Sequence, residues 1–169
     1  MTLNRLNQLS KELAEIEFMQ CCTSNIWVTR MVKALPFETE IELKKSADKA
    51  WMNLDEEDYL QAFEGHPKIG DVNSLREKYS STKALASGEQ SSVSQATELV
   101  LLDLANENQQ YLQRFGFIFI ICATGKSAEE MLLLLQQRLP NDRATELVNA
   151  AEEQRKIFQI RINKLLEAN

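Results

Sequence analysis

The chain has 169 residues, 26% of them charged, with a net charge of −6. That length suits one domain and is enough to bury a core without disulfide or metal staples. The acidic balance speaks against a nucleic-acid partner, which wants a basic face, and weakly against adhesion to an anionic membrane.

Five glycines and three prolines leave few turns, so helices are favoured over strand connections. The three cysteines, Cys21, Cys22 and Cys122, include an adjacent pair poorly placed to bond each other, and no CxxC occurs. An odd count without spacing suits a reducing compartment. The polar, amphipathic stretch from Met1 to Glu15 lacks the apolar core of a secretory signal. No apolar run approaches the roughly 20 residues that span a bilayer, and the cytoplasm is the expected location.

Taken in order, Ser10 is placed to cap a helix from Lys11 to about Cys22, with Leu13, Ile16 and Met19 or Gln20 at helical spacing. Ser24 or Asn25 caps a second, Ile26 to Leu35, with Trp27, Met31 and Leu35 on one face, before Pro36 stops it. A third is expected from about Thr39 to Met52, with Ile41, Ala47, Ala50 and Trp51 apolar. Asp55 reads as the N-cap of a short helix that ends near Gly65, a glycine able to take a left-handed conformation there.

The stretch from Gly65 to Ser92 is rich in Ser, Gly and Lys and has no sustained period. It reads as a long loop, with at most one helical turn around Leu75 to Tyr79. Loops of that length in small domains are often functional. A long helix follows, Val93 to Arg114, with Leu99, Leu102, Ala105 and Leu112 as its expected buried stripe and Gly116 as its stop. Phe117 to Ala123 is an apolar run that suits a buried strand or a helical turn equally. With no partner strand elsewhere, an irregular or helical core segment is expected. Ser127-Ala-Glu-Glu130 is a capping box for a helix over Glu129 to Arg138. The last helix, Arg143 to Leu166, follows Pro140 and has Asn141 or Asp142 as its cap. The sum is an all-α, single-domain helical bundle of seven to nine helices over 1–169, without significant sheet.

Little in the chain reads as known chemistry. Thr124-Gly-Lys-Ser127 looks like the end of a P-loop, but the glycine required five residues earlier is Ile120, so the phosphate cradle is missing and a tight turn into a capped helix is the better reading. One histidine and scattered cysteines do not make a metal site. His66 stands out. Pro67 restricts it to extended backbone, Gly65 precedes it, and its ordinary pKa of about 6.5 suits proton transfer at neutral pH. A surface or capping histidine without function is the plain alternative. Glu89 lies in the loop beside Gln90, where a carboxylate can orient an imidazole or simply be solvated. Arg161 sits near Ile157, Phe158 and Leu165 on the last helix. There it either lies buried and wants an anion or snorkels at the stripe's edge.

Three blocks together are more specific. His66-Pro-Lys-Ile-Gly-Asp71, Ser87-Gly-Glu-Gln90 and Phe115-Gly-Phe-Ile-Phe-Ile-Ile-Cys-Ala-Thr-Gly-Lys-Ser127 resemble the signature of the OHCU decarboxylase family, OHCU being 2-oxo-4-hydroxy-4-carboxy-5-ureidoimidazoline of the urate-to-allantoin pathway. Leu3 to Asn7, Trp27 to Phe37 and Arg161 to Leu165 resemble the family's opening and last helix, so the likeness runs nearly end to end. It implies a helical bundle, often a homodimer, working without a cofactor or metal on a small ureidoimidazoline to give (S)-allantoin and CO2. It implies catalytic roles for His66 and Glu89. Substrate contacts are implied at Pro67, at Ala86, Ser87, Gly88 and Gln90, at Phe119, Ile120, Ile121, Cys122 and Ala123, and at Arg161. Where the family often carries a serine three residues before the glutamate, this chain has Ala86. A relative acting on another β-imino or β-keto acid, or a helical interaction module, are the alternative readings.

Overall fold

Most of the helices begin on a side chain that satisfies one of their own backbone donors. Oxygens of Ser10, Ser24, Thr39 and Ser127 accept from the amides of Leu13 (3.3 Å), Trp27 (3.3 Å), Glu42 (3.1 Å) and Glu130 (3.2 Å), and Asp142 accepts from Thr145 at 2.9 Å. Each supplies a partner that the first turn otherwise lacks. The Ser127 box closes in both directions, since the Ser127 amide donates to Glu130 at 2.7 Å.

The structure, a computed structural model, describes residues 1–66, 72–73, 75–76 and 92–167, with side chains from 98 onward in the last stretch. Eight helices of five residues or more result: α1 (Leu3–Asn7), α2 (Lys11–Cys21), α3 (Asn25–Lys33), α4 (Glu40–Trp51), α5 (Glu56–Glu64), α6 (Ser92–Phe115), α7 (Ala128–Arg138) and α8 (Arg143–Glu167). No strand occurs among the described residues, and the fold is all-α. The short helix α1 was not anticipated. Residues 72–73 and 75–76 are helical, while the rest of the expected 65–92 loop, apart from Gly65, His66 and the first residue of α6, lies outside the described residues.

The helices fall where the caps direct, but several turn a different face inward. In α2 the buried residues are Ala14, Phe18 and Cys21, whereas Leu13 and Ile16 are 51% and 56% exposed. In α4 Leu43 is buried and Ile41 is exposed. In α6 Leu101, Leu104, Ala105, Asn108, Tyr111 and Phe115 are buried, and Leu99 and Leu102 are not. Each of these helices has apolar residues on more than one side, so the inward face is chosen by tertiary neighbours rather than by local period.

The residues group into two compact units. The first holds 1–66, 120–122 and 147–169. Its core is aromatic: Trp27 lies 5.1 Å from Phe158, and Phe18 meets Trp27 and Phe37 edge-on. The two indole N–H groups find backbone acceptors, Trp27 on Ala47 and Trp51 on Ala151, both at 3.0 Å, as buried indoles require.

The second unit holds 67–119 and 123–146, of which α6 and α7 form the described body. Gly116, at φ +79°, ends α6 in the left-handed region that favours glycine, and its amide donates to Leu112 at 2.9 Å. The apolar run from Phe117 is irregular, neither strand nor helix. Tyr111, Phe115, Phe117 and Phe119 pack as one aromatic group.

Candidate active site

His66 is placed by the end of α5. The hydroxyl of Thr23, in the link between α2 and α3, donates to the carbonyls of Gln61 (3.0 Å) and Ala62 (3.2 Å), groups that the last helical turn leaves open. The Asn25 amide donates to the Gln61 side chain at 2.8 Å, and the His66 amide closes the turn on Phe63 at 3.1 Å. Gly65 is there for a different reason from the one expected. Its φ is −71°, an ordinary helical value, but a Cβ on it would stand 2.3 Å from Thr23 Oγ1 and 2.5 Å from Thr23 Cγ2. Space, not handedness, requires glycine.

The imidazole is half-buried. Its Nε2 lies 2.5 Å from Oε1 of Gln154, a fully buried residue of α8. Burial lowers the His66 pKa below 6.5, the Gln154 hydrogen bond opposes that shift, and the positive charge of Arg161 adds to it. The ring is therefore held mostly neutral at neutral pH, in the state of a base. Arg161 is half-buried on α8 and donates from Nη1 to the Cys21 carbonyl at 3.1 Å. Among the described residues no carboxylate pairs with it. Its charge acts on His66.

The neighbouring thiols are held protonated. Cys21 and Cys22 are buried, and desolvation pushes them up to about 12 and about 11, which leaves almost no thiolate at neutral pH.

Ile120 is buried and Ile121 half-buried. The Cys122 amide donates to Glu153 Oε2 at 2.8 Å, and Glu153 also receives Lys156 at 2.6 Å. A substrate carbonyl at that amide would have to displace the carboxylate. In the second unit, Phe119 is buried with the Arg138 guanidinium 4.8 Å above its ring. Ala123 accepts from the Lys126 amide at 3.1 Å, in a turn that carries Gly125 at φ +76°. The Thr124 to Ser127 motif is thus a turn into a capped helix. Pro67, Ala86, Ser87, Gly88, Glu89 and Gln90 lie outside the described residues. No group of three metal-ligating side chains occurs among the described residues.

Of the residues singled out from sequence, the structure brings His66 and Arg161 within electrostatic reach and adds one that was missed, Gln154. A signal for it was present. Ala150, Gln154, Phe158 and Ile162 follow at intervals of four and are all buried, so Gln154 interrupts an otherwise apolar stripe.

Comparisons with known proteins agree in direction. The family model for OHCU decarboxylase matches residues 7–163. The chain is 32% identical over 157 residues, 93% of its length, to the uric acid degradation bifunctional protein TTL of Arabidopsis thaliana, and spans about half (48%) of that relative. It is 23% identical over 163 residues to the 2-oxo-4-hydroxy-4-carboxy-5-ureidoimidazoline decarboxylase of Haloferax volcanii, covering 96% of this chain and 94% of that one. A crystal structure of OHCU decarboxylase in the presence of (S)-allantoin superposes with a TM-score of 0.71 at 35% identity, covering 89% of this chain and 97% of the other.

Proposed function

The chain belongs to the OHCU decarboxylase family, and from that premise we propose that it converts 2-oxo-4-hydroxy-4-carboxy-5-ureidoimidazoline to (S)-allantoin and CO2, as one family domain over 1–169. The observation that carries this reading is the half-buried His66, kept neutral by burial and by Arg161, on a fold shared with an OHCU decarboxylase at 35% identity.

The substrate supplies its own electron sink. Its carboxylate sits on a carbon that bears a hydroxyl and adjoins a ring C=N bond. When the C–CO2 bond breaks, its electron pair flows into the imine and the ring nitrogen takes up a proton. The hydroxyl then becomes a carbonyl as its proton leaves, and a proton added to the ureido-bearing carbon from one face gives a single enantiomer. The protein has to position the substrate and move protons; no cofactor is called for by this chemistry. His66 is the base that receives the hydroxyl proton. Arg161 anchors an anionic or carbonyl group. Glu89 holds the hydroxyl or ureido N–H groups and disfavours the leaving carboxylate. Backbone around Phe119 to Ala123 contributes polar contacts to ring or ureido oxygens, the Cys122 amide only where the substrate displaces Glu153.

The same reading places the chain in the cytoplasm as a homodimer. Three cysteines with no disulfide among them suit a reducing compartment, and no described helix is long and apolar enough to cross a membrane; the dimer follows from the family likeness.

The test is to generate the unstable substrate in situ from urate with the two preceding enzyme activities and to follow the optical rotation of the product. Dextrorotatory allantoin formed faster than the uncatalysed rate is expected. Racemic product at the uncatalysed rate overturns the proposal in favour of an interaction module without catalysis.

A further inference from the structure

We propose that Gln154 is the positioning residue that decides which imidazole nitrogen of His66 works: its Oε1 accepts a hydrogen bond from Nε2–H, so that Nδ1 carries the free lone pair and is the basic atom. This rests on the reading of His66 as the residue that moves the proton.

The geometry comes first. Gln154 is fully buried, and its Oε1 stands 2.5 Å from His66 Nε2. Among the described residues no other hydrogen bond reaches the imidazole. A carboxamide has two ends, and rotating it by half a turn exchanges acceptor for donor. With the NH2 end towards the ring, Nε2 would have to be the acceptor and the ring proton would sit on Nδ1. Such an arrangement fails once the imidazole takes a second proton, because both ring nitrogens are then donors and one would face a donor. With Oε1 towards the ring, the same hydrogen bond serves the neutral imidazole and the imidazolium. A histidine that gains and loses a proton in each turnover therefore needs the oxygen inward, and the neutral ring is held with its proton on Nε2.

The other end of the amide supports this. Gln154 Nε2 is buried and, among the described residues, no acceptor meets it in strict hydrogen-bond geometry. The side chain reaches Cys22, where it helps pull that thiol's pKa down against the larger upward push of burial. A poorly satisfied buried amide is unfavourable, and methionine or leucine would fill the stripe of Ala150, Phe158 and Ile162 without that penalty. A glutamate would supply an acceptor too, but its charge would hold the imidazole protonated. What the amide supplies is an uncharged acceptor. Among the described residues the charged group that acts on the ring is Arg161 on α8, which opposes protonation, and the Cys22 thiol beside Gln154 stays neutral.

His66 is the sole histidine of the chain, so the full-length protein labelled with [15N]histidine shows one pair of ring nitrogens. The wild type is expected to show Nε2 as the protonated, pyrrole-type nitrogen and Nδ1 as the pyridine-type one. An Nδ1–H tautomer overturns the proposal. Gln154→Glu is expected to raise the His66 titration midpoint by about one unit or more and to move the acid limb of kcat/KM up with it. Gln154→Met is expected to show tautomer averaging and to lose kcat about tenfold or more, with KM changing less. A methionine variant that keeps both the tautomer and kcat overturns the proposal. If that variant does not fold, the wild-type tautomer and the Gln154→Glu midpoint still decide. If the wild type makes no optically active allantoin, the decarboxylase reading fails, while the tautomer and its dependence on residue 154 judge Gln154 separately.

Discussion

Two buried polar clusters of this protein are built on opposite principles. Around Glu146, in the second unit, none of the cluster's buried side-chain oxygens and nitrogens is left without a partner. Tyr111 donates its hydroxyl to Oε2 at 2.5 Å, Arg138 donates from Nε to the same oxygen at 2.7 Å and from Nη2 to the Tyr111 oxygen at 3.1 Å, and Asn141 donates to Oε1 at 2.8 Å. Arg138 also lies over Phe119. Burial and the neighbouring Glu146 drive the Tyr111 hydroxyl well above its usual pKa, against Arg138, so it stays a neutral donor. Around His66, in the first unit, the valences are left open. Among the described residues the ring has one partner, that partner has a donor unmet, and Arg161 has no carboxylate. A saturated buried network fixes structure and has nothing left to offer a substrate. An unsaturated one is expensive for the fold, and a ligand is what completes it.

The sharpest way to break this contrast is to remove one member from each cluster. His66→Asn is expected to lower kcat/KM by about 10²–10⁴-fold, the range of general acid–base catalysis, while the urea unfolding midpoint changes much less than for Glu146→Ala, because the ring is only half-buried. Near-normal turnover would remove His66 from the chemistry. The wild-type pH profile supplies the companion result. Since the folded pKa lies below 6.5, activity should persist below pH 6.5 and fall only as pH drops through the lowered value. The unfolded chain takes up the proton first on acidification, so His66's contribution to stability is present above 6.5 and is lost between 6.5 and the lowered folded value.

Glu146→Ala should do the reverse. It takes the anion from Arg138, whose side chain is 12% exposed, and breaking a buried pair from one side costs up to about 3–5 kcal/mol. Urea unfolding should show the loss, and the protein that remains folded should retain its turnover per active molecule. A change under about 1 kcal/mol would mean that the cluster does not carry stability.

How much of this was readable in the sequence follows from how local each signal is. Ser10, Ser24, Asp55 and Ser127 announced their helices because a cap needs only the three residues after it. The buried faces did not announce themselves: Leu13, Ile16, Leu99 and Leu102 are as apolar as Phe18, Leu101 and Leu104, and only the neighbouring helices decide between them. His66 was legible as a lone imidazole before a proline. Glu146 and Gln154 were not singled out, because both owe their roles to groups far away in sequence, at Tyr111 and at His66. Gly65 was legible as a glycine that had to be there, but the reason read from it, a left-handed turn, was the local one, and the actual reason is Thr23.

That last point sharpens the comparison at the smallest scale. Among the described residues one hydrogen bond, to Gln154, holds the His66 ring, so the packing under it also matters. Gly65→Ala adds one methyl where Thr23 already stands, with Oγ1 at 2.3 Å, Cγ2 at 2.5 Å and Cβ at 3.0 Å. The backbone at φ −71° accepts alanine without strain, so any cost comes from the collision. Overpacking of this kind costs about 1–3 kcal/mol. The displaced hydroxyl also gives up the carbonyls of Gln61 and Ala62, the groups that fix the end of α5 just before the imidazole. Activity should therefore fall by more than the unfolding midpoint predicts, and the ring nitrogen signals of His66 should move. A double-mutant cycle with Thr23→Ala isolates the cause: Thr23→Ala should do less harm in the Gly65→Ala background than in the wild type. Strict additivity would show that Thr23 yields freely and that the glycine is not what holds His66.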